Sequence, residues 1–520
     1  MIARTSLKLS TVALALVLAG CSLAPTYEQP EAPIPGEFPL VSGSTADQAQ
    51  ADAQFSALGW DQFFNDPQLK ALIDVALENN RDIRIALDRV LEAQAQYGIA
   101  RSDQFPTLGV GGTGQVTHTP ADMRPAGPHS PAISRTFQAG VAMTAFELDF
   151  FGRLSNLSEA AFQQFLATAE SQRTVQINVI AAVAESYLHW RAAQTMLHLT
   201  EQTEKSREET LNLVKHLYDV GTASALDLQQ AQLQLDTVRA DLKQMQRQLE
   251  LAKNALELVL GTSLPDDLPS SLAFSQEQIV RDIPVGLPSS LLIRRPDIRA
   301  AEHQLRASYA NVGAARAAFF PSVSITGLFG LASPSFSRLF RSGNDFWQYS
   351  PQIMMPLFSG GVEGAYDLAK ARQNIAISTY EKTIQTAFKE VADALAGEAT
   401  YQEQLDALRA MEGAAAESLR LANIRYETGI DSFLQVQTAE VNLYTTQLQF
   451  VQVGLDSLLN RLNLYKALGG GWDFDEDTLE LLEAEQRAIE ATAKRSDAER
   501  PAEALPTTTT DMPVEKRRIN

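Results

Sequence analysis

The chain has 520 residues and a formal net charge of −20 at neutral pH. That acidic balance argues against nucleic acid as a partner, because a phosphate backbone calls for clustered Lys and Arg. It allows a lumen that favours cations or, more simply, a solvated acidic surface.

Residues 1–20 read as an export signal. Arg4 and Lys8 make a basic start, Leu9 to Leu18 form a short apolar run, and Leu18-Ala19-Gly20-Cys21 closes it. A spanning helix needs about 20 apolar residues, so this run is too short. The Leu-Ala-Gly-Cys end resembles the bacterial lipobox, which implies cleavage before Cys21 and a covalent lipid on its sulfur. A lone cysteine is otherwise a small buried residue. Its place directly behind an apolar run favours lipidation, and Ser22 rather than Asp after it favours the outer membrane. Cys21 is the single cysteine, so no intrachain disulfide forms. Cleavage would leave a charge of −22, since 1–20 holds two basic residues and no acid. No later stretch has 18 continuous apolar residues, so any membrane crossing must use strands.

Residues 21–57, rich in Pro, Ala and Ser, read as an extended tether behind the lipid. A first repeat is expected over 58–265. Its helix runs from Pro67 to about Arg101, capped by Asp66. A hairpin follows over about 104–149. Its first strand, Leu108 to Val116, is Gly-rich; its second alternates with Phe137, Ala139, Val141, Met143 and Ala145 on one face. From Arg153 to Asp219 there is neither Pro nor Gly. At 1.5 Å per residue such a helix is roughly 100 Å long. A turn at Val220-Gly221-Thr222-Ala223-Ser224 leads to a returning helix. Leu228, Ala231, Leu235, Val238, Leu242, Met245, Leu249, Ala252, Leu256 and Val259 form a heptad seam along it.

The second repeat, 266–472, restates this order. Arg294-Arg295-Pro296-Asp297 reads as a helix start, with Pro296 in the first turn and Asp297 at the positive end. A basic pair in this place could instead be a binding site; the helix-start signals favour the structural reading. A hairpin over about 320–358 alternates Val323, Ile325, Gly327, Phe329 and Leu331, then Trp347, Tyr349, Ile353, Met355 and Leu357. Trp347 and Tyr349 are expected near a membrane interface. The links 119–134 and 332–345 read as outward loops. Gly364 to Glu427 is a second very long helix, interrupted only by Gly397 and Gly413. The turn Thr428-Gly429-Ile430-Asp431-Ser432 leads to a seam of Leu434, Val441, Tyr444, Leu448, Val451, Leu455, Leu458, Leu462 and Tyr465. The two seams are not at matching positions, which predicts different neighbours for the two copies. Residues 473–520 are acidic, then Thr-rich, then basic, and read as mostly disordered with one helix near 477–493.

The copies align at an offset of 208 residues across the turns and of 215 upstream, where Asn80-Arg81-Asp82-Ile83-Arg84 matches Arg295-Pro296-Asp297-Ile298-Arg299. Such duplication points to a repeated tube wall rather than a single cleft. Four strands cannot close a membrane barrel, whose smallest examples have about 8. An open edge in lipid would leave backbone groups unpaired, so the chain is expected to oligomerise.

Enzyme chemistry finds no support. The six histidines, at 118, 129, 189, 198, 216 and 303, lack metal-ligand spacing, and no nucleophile with a base emerges. The Gly run at 109–114 lies in a strand, not before a helix. No cofactor is expected apart from the lipid on Cys21.

Several motifs in order are shared with one family. They are Leu-Ala-Gly-Cys at 18–21, Trp60 with Phe63-Phe64-Asn65-Asp66-Pro67, Glu147-Leu148-Asp149-Phe150-Phe151-Gly152-Arg153, Leu292-Ile293-Arg294-Arg295-Pro296-Asp297-Ile298, Pro356-Leu357-Phe358-Ser359-Gly360-Gly361, and the paired Tyr-x-x-Gly turns. Across about 21–472 the sequence resembles the outer-membrane factor family of TolC-like channels, and within it the NodT-type lipoprotein branch. The resemblance implies a mainly α fold with a membrane β-barrel. Three copies would form a twelve-stranded barrel and a twelve-helix periplasmic tunnel with an equatorial α/β belt. It implies a passive exit duct for small toxic compounds or drugs, served by a periplasmic adaptor and an inner-membrane pump of the resistance-nodulation-division type. A protein-export duct is the alternative, and a lipid-anchored coiled-coil scaffold a third reading. By resemblance the adaptor docks at Val220, Gly221, Thr222 and Ser224 and at Thr428, Gly429, Asp431 and Ser432. Leu434 matches a constricting position, and a gate would rest on it with polar help from Asp227, Asp431 and Arg425. Relatives often carry acids where this chain has Gln435 and Thr438, which puts a carboxylate-based gate in doubt.

Overall fold

The computed structural model describes residues 22–36, 38, 59–124, 129–275, 278–280, 283 and 288–470. Cys21, the signal segment and the 473–520 tail lie outside them. The described residues run in the order α1 (Trp60–Phe63), α2 (Pro67–Asn79), α3 (Arg81–Ser102), β1 (Leu108–His118), β2 (Ile133–Leu148), α4 (Arg153–Asp219) and α5 (Ala225–Leu260). The second copy follows with α6 (Leu291–Arg294), α7 (Pro296–Ala317), β3 (Ser322–Ser333), β4 (Asp345–Met354), α8 (Gly360–Glu427) and α9 (Phe433–Ala467).

Asp66 caps α2 as expected, accepting the Gln68 N–H at 2.9 Å. The single helix expected from Pro67 to Arg101 is in fact two. Asn80 breaks it with an extended ψ of 135°. Its Oδ1 accepts the N–H groups of Asp82 and Ile83, while its Nδ2 donates to the Val259 carbonyl at 2.7 Å. An Asn that can bond the backbone on both sides favours a cap over a helix interior. In the second copy Pro296 opens the equivalent helix, and Arg295 before it is buried. Its guanidinium bonds Asp297 (2.7 Å), Glu390 (2.7 Å) and the Ala467 carbonyl (2.9 Å). The basic pair is therefore structural at Arg295.

The two long helices contain 67 and 68 residues. With no proline inside either, nothing removes an i→i−4 bond. α5 buries Ala231, Leu235, Val238, Leu242 and Leu256, and every other member of its expected seam is at least partly covered. Each Leu or Val so buried contributes about 1.5–3 kcal/mol relative to exposure. The expectation for α9 needs correcting. Positions matching the α5 seam are covered here too, namely Val436, Ala439, Leu443, Thr446, Phe450, Val453 and Ser457. Thr446 hides its polarity by donating to the Asn442 carbonyl at 2.7 Å. The expected stripe through Tyr444, Leu455, Leu458, Leu462 and Tyr465 is a second buried face. α9 thus packs on two sides, whereas Leu434, expected to begin its seam, is exposed and Phe433 takes its place.

The main core lies where α1, α2, the middle of α4, the end of α5, α7, α8 and the end of α9 converge. Phe63 stacks on Tyr465 with ring centroids 3.9 Å apart. A short strand-like pairing joins Phe64 to Ile279, with the Val280 N–H bonding the Phe63 carbonyl at 3.0 Å. The 22–36 stretch is extended, as expected, but it is bonded to the body rather than free. Ser22 donates to Asn156 Oδ1 at 2.9 Å, Tyr27 to Glu302 at 3.0 Å, and Gln29 to Tyr380 at 3.0 Å. Ala24 lies so close to Gly313 that a Cβ there would approach its Cα to 2.7 Å.

The four strands form one antiparallel sheet in the order β1-β2-β3-β4, with β2 and β3 joining the two copies. The register puts Val110, Val141, Phe329 and Trp347 in one row across the sheet, and Leu108, Met143, Gly327 and Tyr349 in the next. Thr113, Gln138, Ser350, Gln348 and Thr326 lie on the opposite face. Ala145 leaves the expected alternation. It sits at a bulge between Met143 and Phe146 with φ 46°, its N–H on Thr326 Oγ1 at 3.2 Å. The extra residue resets the pleat, so Phe146 and Leu148 stay on the apolar face opposite Ile325 and Val323. β4 ends at Met354, so Met355 and Leu357 of the expected strand fall beyond it. Among the described residues no helix is long and apolar enough to cross a membrane.

Candidate functional site

The two helical turns repeat one geometry. At the end of α4, Gly221 has φ 82°, the Thr222 N–H reaches the Leu217 carbonyl at 2.8 Å and the Gly221 N–H reaches Tyr218 at 2.9 Å. At the end of α8, Gly429 has φ 76°, with Ile430 on Arg425 at 2.8 Å and Gly429 on Tyr426 at 2.9 Å. This six-to-one and five-to-two pairing is the Schellman closure, which needs a left-handed residue and therefore glycine. Both turns lie at one end of the helices. They sit over a small apolar cluster of Val214, Ala231, Ala422, Phe433, Val436 and Ala439.

The returning helices start differently. Ser224 caps α5 in a full capping box: its Oγ accepts the Asp227 N–H at 3.1 Å, and Asp227 Oδ2 accepts the Ser224 N–H at 3.0 Å. Ser432, at the matching place before α9, makes no side-chain cap. Gln435 stands where Asp227 stands in the first copy, so no carboxylate closes the box. Asp431 is instead held by Arg425, whose guanidinium bonds both its oxygens and lowers its carboxyl below the usual range.

Val220, Gly221, Thr222, Ser224, Thr428, Gly429 and Ser432 are all exposed, and Asp431 is half-exposed. The protruding Val220 and Ile430 make the tip apolar between polar shoulders. Of the gate candidates, Leu434 is 52% exposed and free of the chain's own core. Asp227 is engaged in its capping box, and Arg425 pairs with Asp431. Tyr426 brings the two turns together: burial and then the Asp227 charge raise its phenol, and its ring lies 5.4 Å from Phe433. Sequence patterning missed Phe433 and the buried Arg207 and Glu440 above it, and it found Tyr426 only as part of the Tyr-x-x-Gly turn. The spacing Phe433, Val436, Glu440, Tyr444 was the signal available, a carboxylate set within an apolar 3–4–4 stripe.

The other functional surface is the sheet. Its strands carry only three charged residues, Arg135, Glu147 and Asp345. Arg135 and Asp345 fall at the loop ends, and Glu147 is bound by Arg153 at 2.5 and 2.8 Å. The polar face is therefore wettable but neutral, with a shallow recess of about 340 Å³ lined by Thr113, Gln138, Thr326, Gln348 and Ser350. Trp347 and Tyr349 stack with centroids 6.3 Å apart on the apolar face. β1 and β4 each keep one unpaired edge among the described strands. No group of three or more metal-ligating side chains occurs among the described residues.

Comparison with known proteins gives a consistent picture. The family model described as outer membrane efflux protein matches residues 72–262 and 287–470. The chain is 42% identical over 465 residues to the probable efflux pump outer membrane protein TtgC of Pseudomonas putida, covering 89% of this chain and 95% of that one. A solved membrane protein from Pseudomonas aeruginosa superposes with a TM-score of 0.81 at 40% identity, over 88% of this chain and 99% of the other. The open state of the Neisseria gonorrhoeae MtrE outer membrane channel does so with a TM-score of 0.78 at 35% identity, over 88% and 99%.

Proposed function

This chain belongs to the outer membrane efflux protein family, a family of channels rather than enzymes, and we propose that three copies of it form one passive exit duct for small toxic compounds. As an outer-membrane component of an efflux pump it supplies the last conduit out of the cell. The observation that supports assembly from several copies is the sheet, and the number three follows the family. Four strands with one apolar face and two unpaired edges bury their backbone in lipid only by pairing with strands of further copies. Three copies contribute twelve strands and twelve long helical segments.

Energy and cargo come from elsewhere. A periplasmic adaptor docks on the tip at Val220 to Ser224 and Thr428 to Ser432, and an inner-membrane pump of the resistance-nodulation-division type drives cargo toward it. The exposed apolar residues Val220 and Ile430 and the rigid Schellman turns support that docking. The lipid on Cys21 anchors the chain, and the 22–36 stretch behind it is bonded to the body. Trp347 and Tyr349 sit in the membrane interface. Leu434 from each copy narrows the tip when the duct is closed. The neutral polar wall suits uncharged and amphipathic cargo.

The test is accumulation of a panel of dyes and antibiotics in cells lacking this chain, with and without the gene restored. Accumulation that rises on deletion and falls on restoration is expected. No change, with the protein trimeric in the outer membrane, sinks small-molecule efflux as its task.

A further inference from the structure

Above the apolar cluster of the tip, α4, α5 and α9 enclose charge. Arg207 on α4 and Glu440 on α9 are 3% and 7% exposed. No Arg207–Glu440 ion pair forms within 4.0 Å. Arg207 donates to the Gln234 carbonyl on α5 at 2.9 Å and lies 5.4 Å from the Tyr444 ring, and its Nε has no partner. Glu440 receives one side-chain hydrogen bond, from the Thr210 hydroxyl of α4 at 3.1 Å. Tyr444 in turn meets Thr200 of α4 at 3.2 Å. These contacts join the first helical hairpin, α4 with α5, to the returning helix of the second.

At 7% exposure and with one neutral protein donor, the Glu440 carboxylate has lost most of its hydration. An ionised carboxylate accepts several hydrogen bonds in water and pays for their loss on burial. We propose that Glu440 is a proton-operated latch between the two hairpins: the α4–α9 junction tightens when its carboxyl is protonated and loosens when it is ionised. The groups acting on it are Thr210 and Arg207 from α4, and around Arg207 in turn lie Asp241 from α5 and Tyr444 from α9.

Burial raises the Glu440 carboxyl above its usual range, and the Thr210 bond and the Arg207 charge pull it back only in part. The packed junction therefore holds this proton more tightly than water does. Packing is favoured below the raised value and weakens as pH climbs through it. Because the turns hang from these helices, loosening the junction frees the tip to spread.

The latch rests on the channel reading, so the experiment reads distance and current separately. Spin-label amino acids at exposed positions 215 and 435 of the full-length protein in lipid nanodiscs report the α4–α9 separation by pulsed electron resonance. The distance is expected to shift longer from pH 5 to pH 8 in the wild type and to stay at its low-pH value in Glu440→Gln. Thr210→Val, which removes the one bond favouring the ionised form, moves the midpoint of the shift to higher pH. A wild-type distance that does not change with pH overturns the latch, as does an unaltered shift in Glu440→Gln. Planar-bilayer conductance of the same samples should rise with pH and be flat in Glu440→Gln. A shift in distance without any current would support the latch and overturn the channel.

Discussion

Gly140 and Gly330 are paired directly across β2 and β3, and their backbones leave no room for a side chain on either. A Cβ on Gly140 would fall 2.3 Å from the Phe329 carbonyl oxygen, and one on Gly330 would fall 2.1 Å from that of Ala139. This is the seam where the two copies become one sheet. A strand glycine that admits a neighbouring backbone is a packing requirement.

Gly330→Ala should therefore push β2 and β3 apart and cost about 1–3 kcal/mol, the usual penalty of overpacking. Gly111→Ala, with nothing within 4 Å, is the control. Thermal melting of the detergent-purified oligomer distinguishes them. Equal melting of both variants would show that the close approach carries no stability.

Arg295 ties the start of α7 to α8 and to the end of α9. Arg295→Met strands the carboxylates of Asp297 and Glu390 and frees the Ala467 carbonyl. The expected loss is about 3 kcal/mol, at the lower end for a broken buried pair because Glu390 and Asp297 keep part of their hydration. Arg295→Lys should recover only part of it, since one ammonium cannot reproduce the guanidinium fork. Urea unfolding of the three proteins reads both numbers.

At the tip, Leu434→Ala should widen the closed constriction. Susceptibility to vancomycin, too large for ordinary porins, is expected to rise, with a matching gain in single-channel conductance. Asp431→Asn, which removes the partner of Arg425, should add to it. If both variants leave leak and conductance unchanged, the gate does not rest on these residues.

His303 is buried on α7, its ring nitrogen 2.8 Å from Gln163 Oε1. Burial, with Arg306, Arg299 and Arg173 adding to it, lowers its pKa to about 3. An unfolded histidine titrates near about 6.5, so the unfolded chain binds the proton first. Stability is complete above that pH and is lost as pH falls toward 3, at up to about 1.4 kcal/mol per unit. His303→Gln should flatten that slope. Comparing the variant with the wild type separates His303 from Glu170, whose carboxyl burial raises. Parallel acid-unfolding curves for the two proteins would show that His303 is already charged in the folded chain.

Much of this architecture is written locally. The absence of proline along α4 and α8 lets each run unbroken as a very long helix, and period-two alternation marks all four strands. The heptad seam of α5 and the glycine turns follow from spacing alone, because 3.5-residue periodicity and a positive φ are properties of a few neighbouring residues. Asn80 was harder to read: an Asn inside a helical pattern is neutral until the Val259 carbonyl, distant in sequence, gives its amide a second partner. The bulge at Ala145 escaped for a similar reason, since its Thr326 partner belongs to the other copy.

Element types and their doubled order are legible in the chain, because both depend on local periodicity and segment length. Packing between residues distant in sequence sets which faces those elements share. It placed Thr446 and Ser457 in a buried stripe, turned Leu434 outward, left Ser432 without a cap and set Glu440 beside Arg207 without pairing them. Burial and hydrogen-bond satisfaction belong to neighbours far apart in the chain. Composition records that a charge is present; only packing decides whether water reaches it.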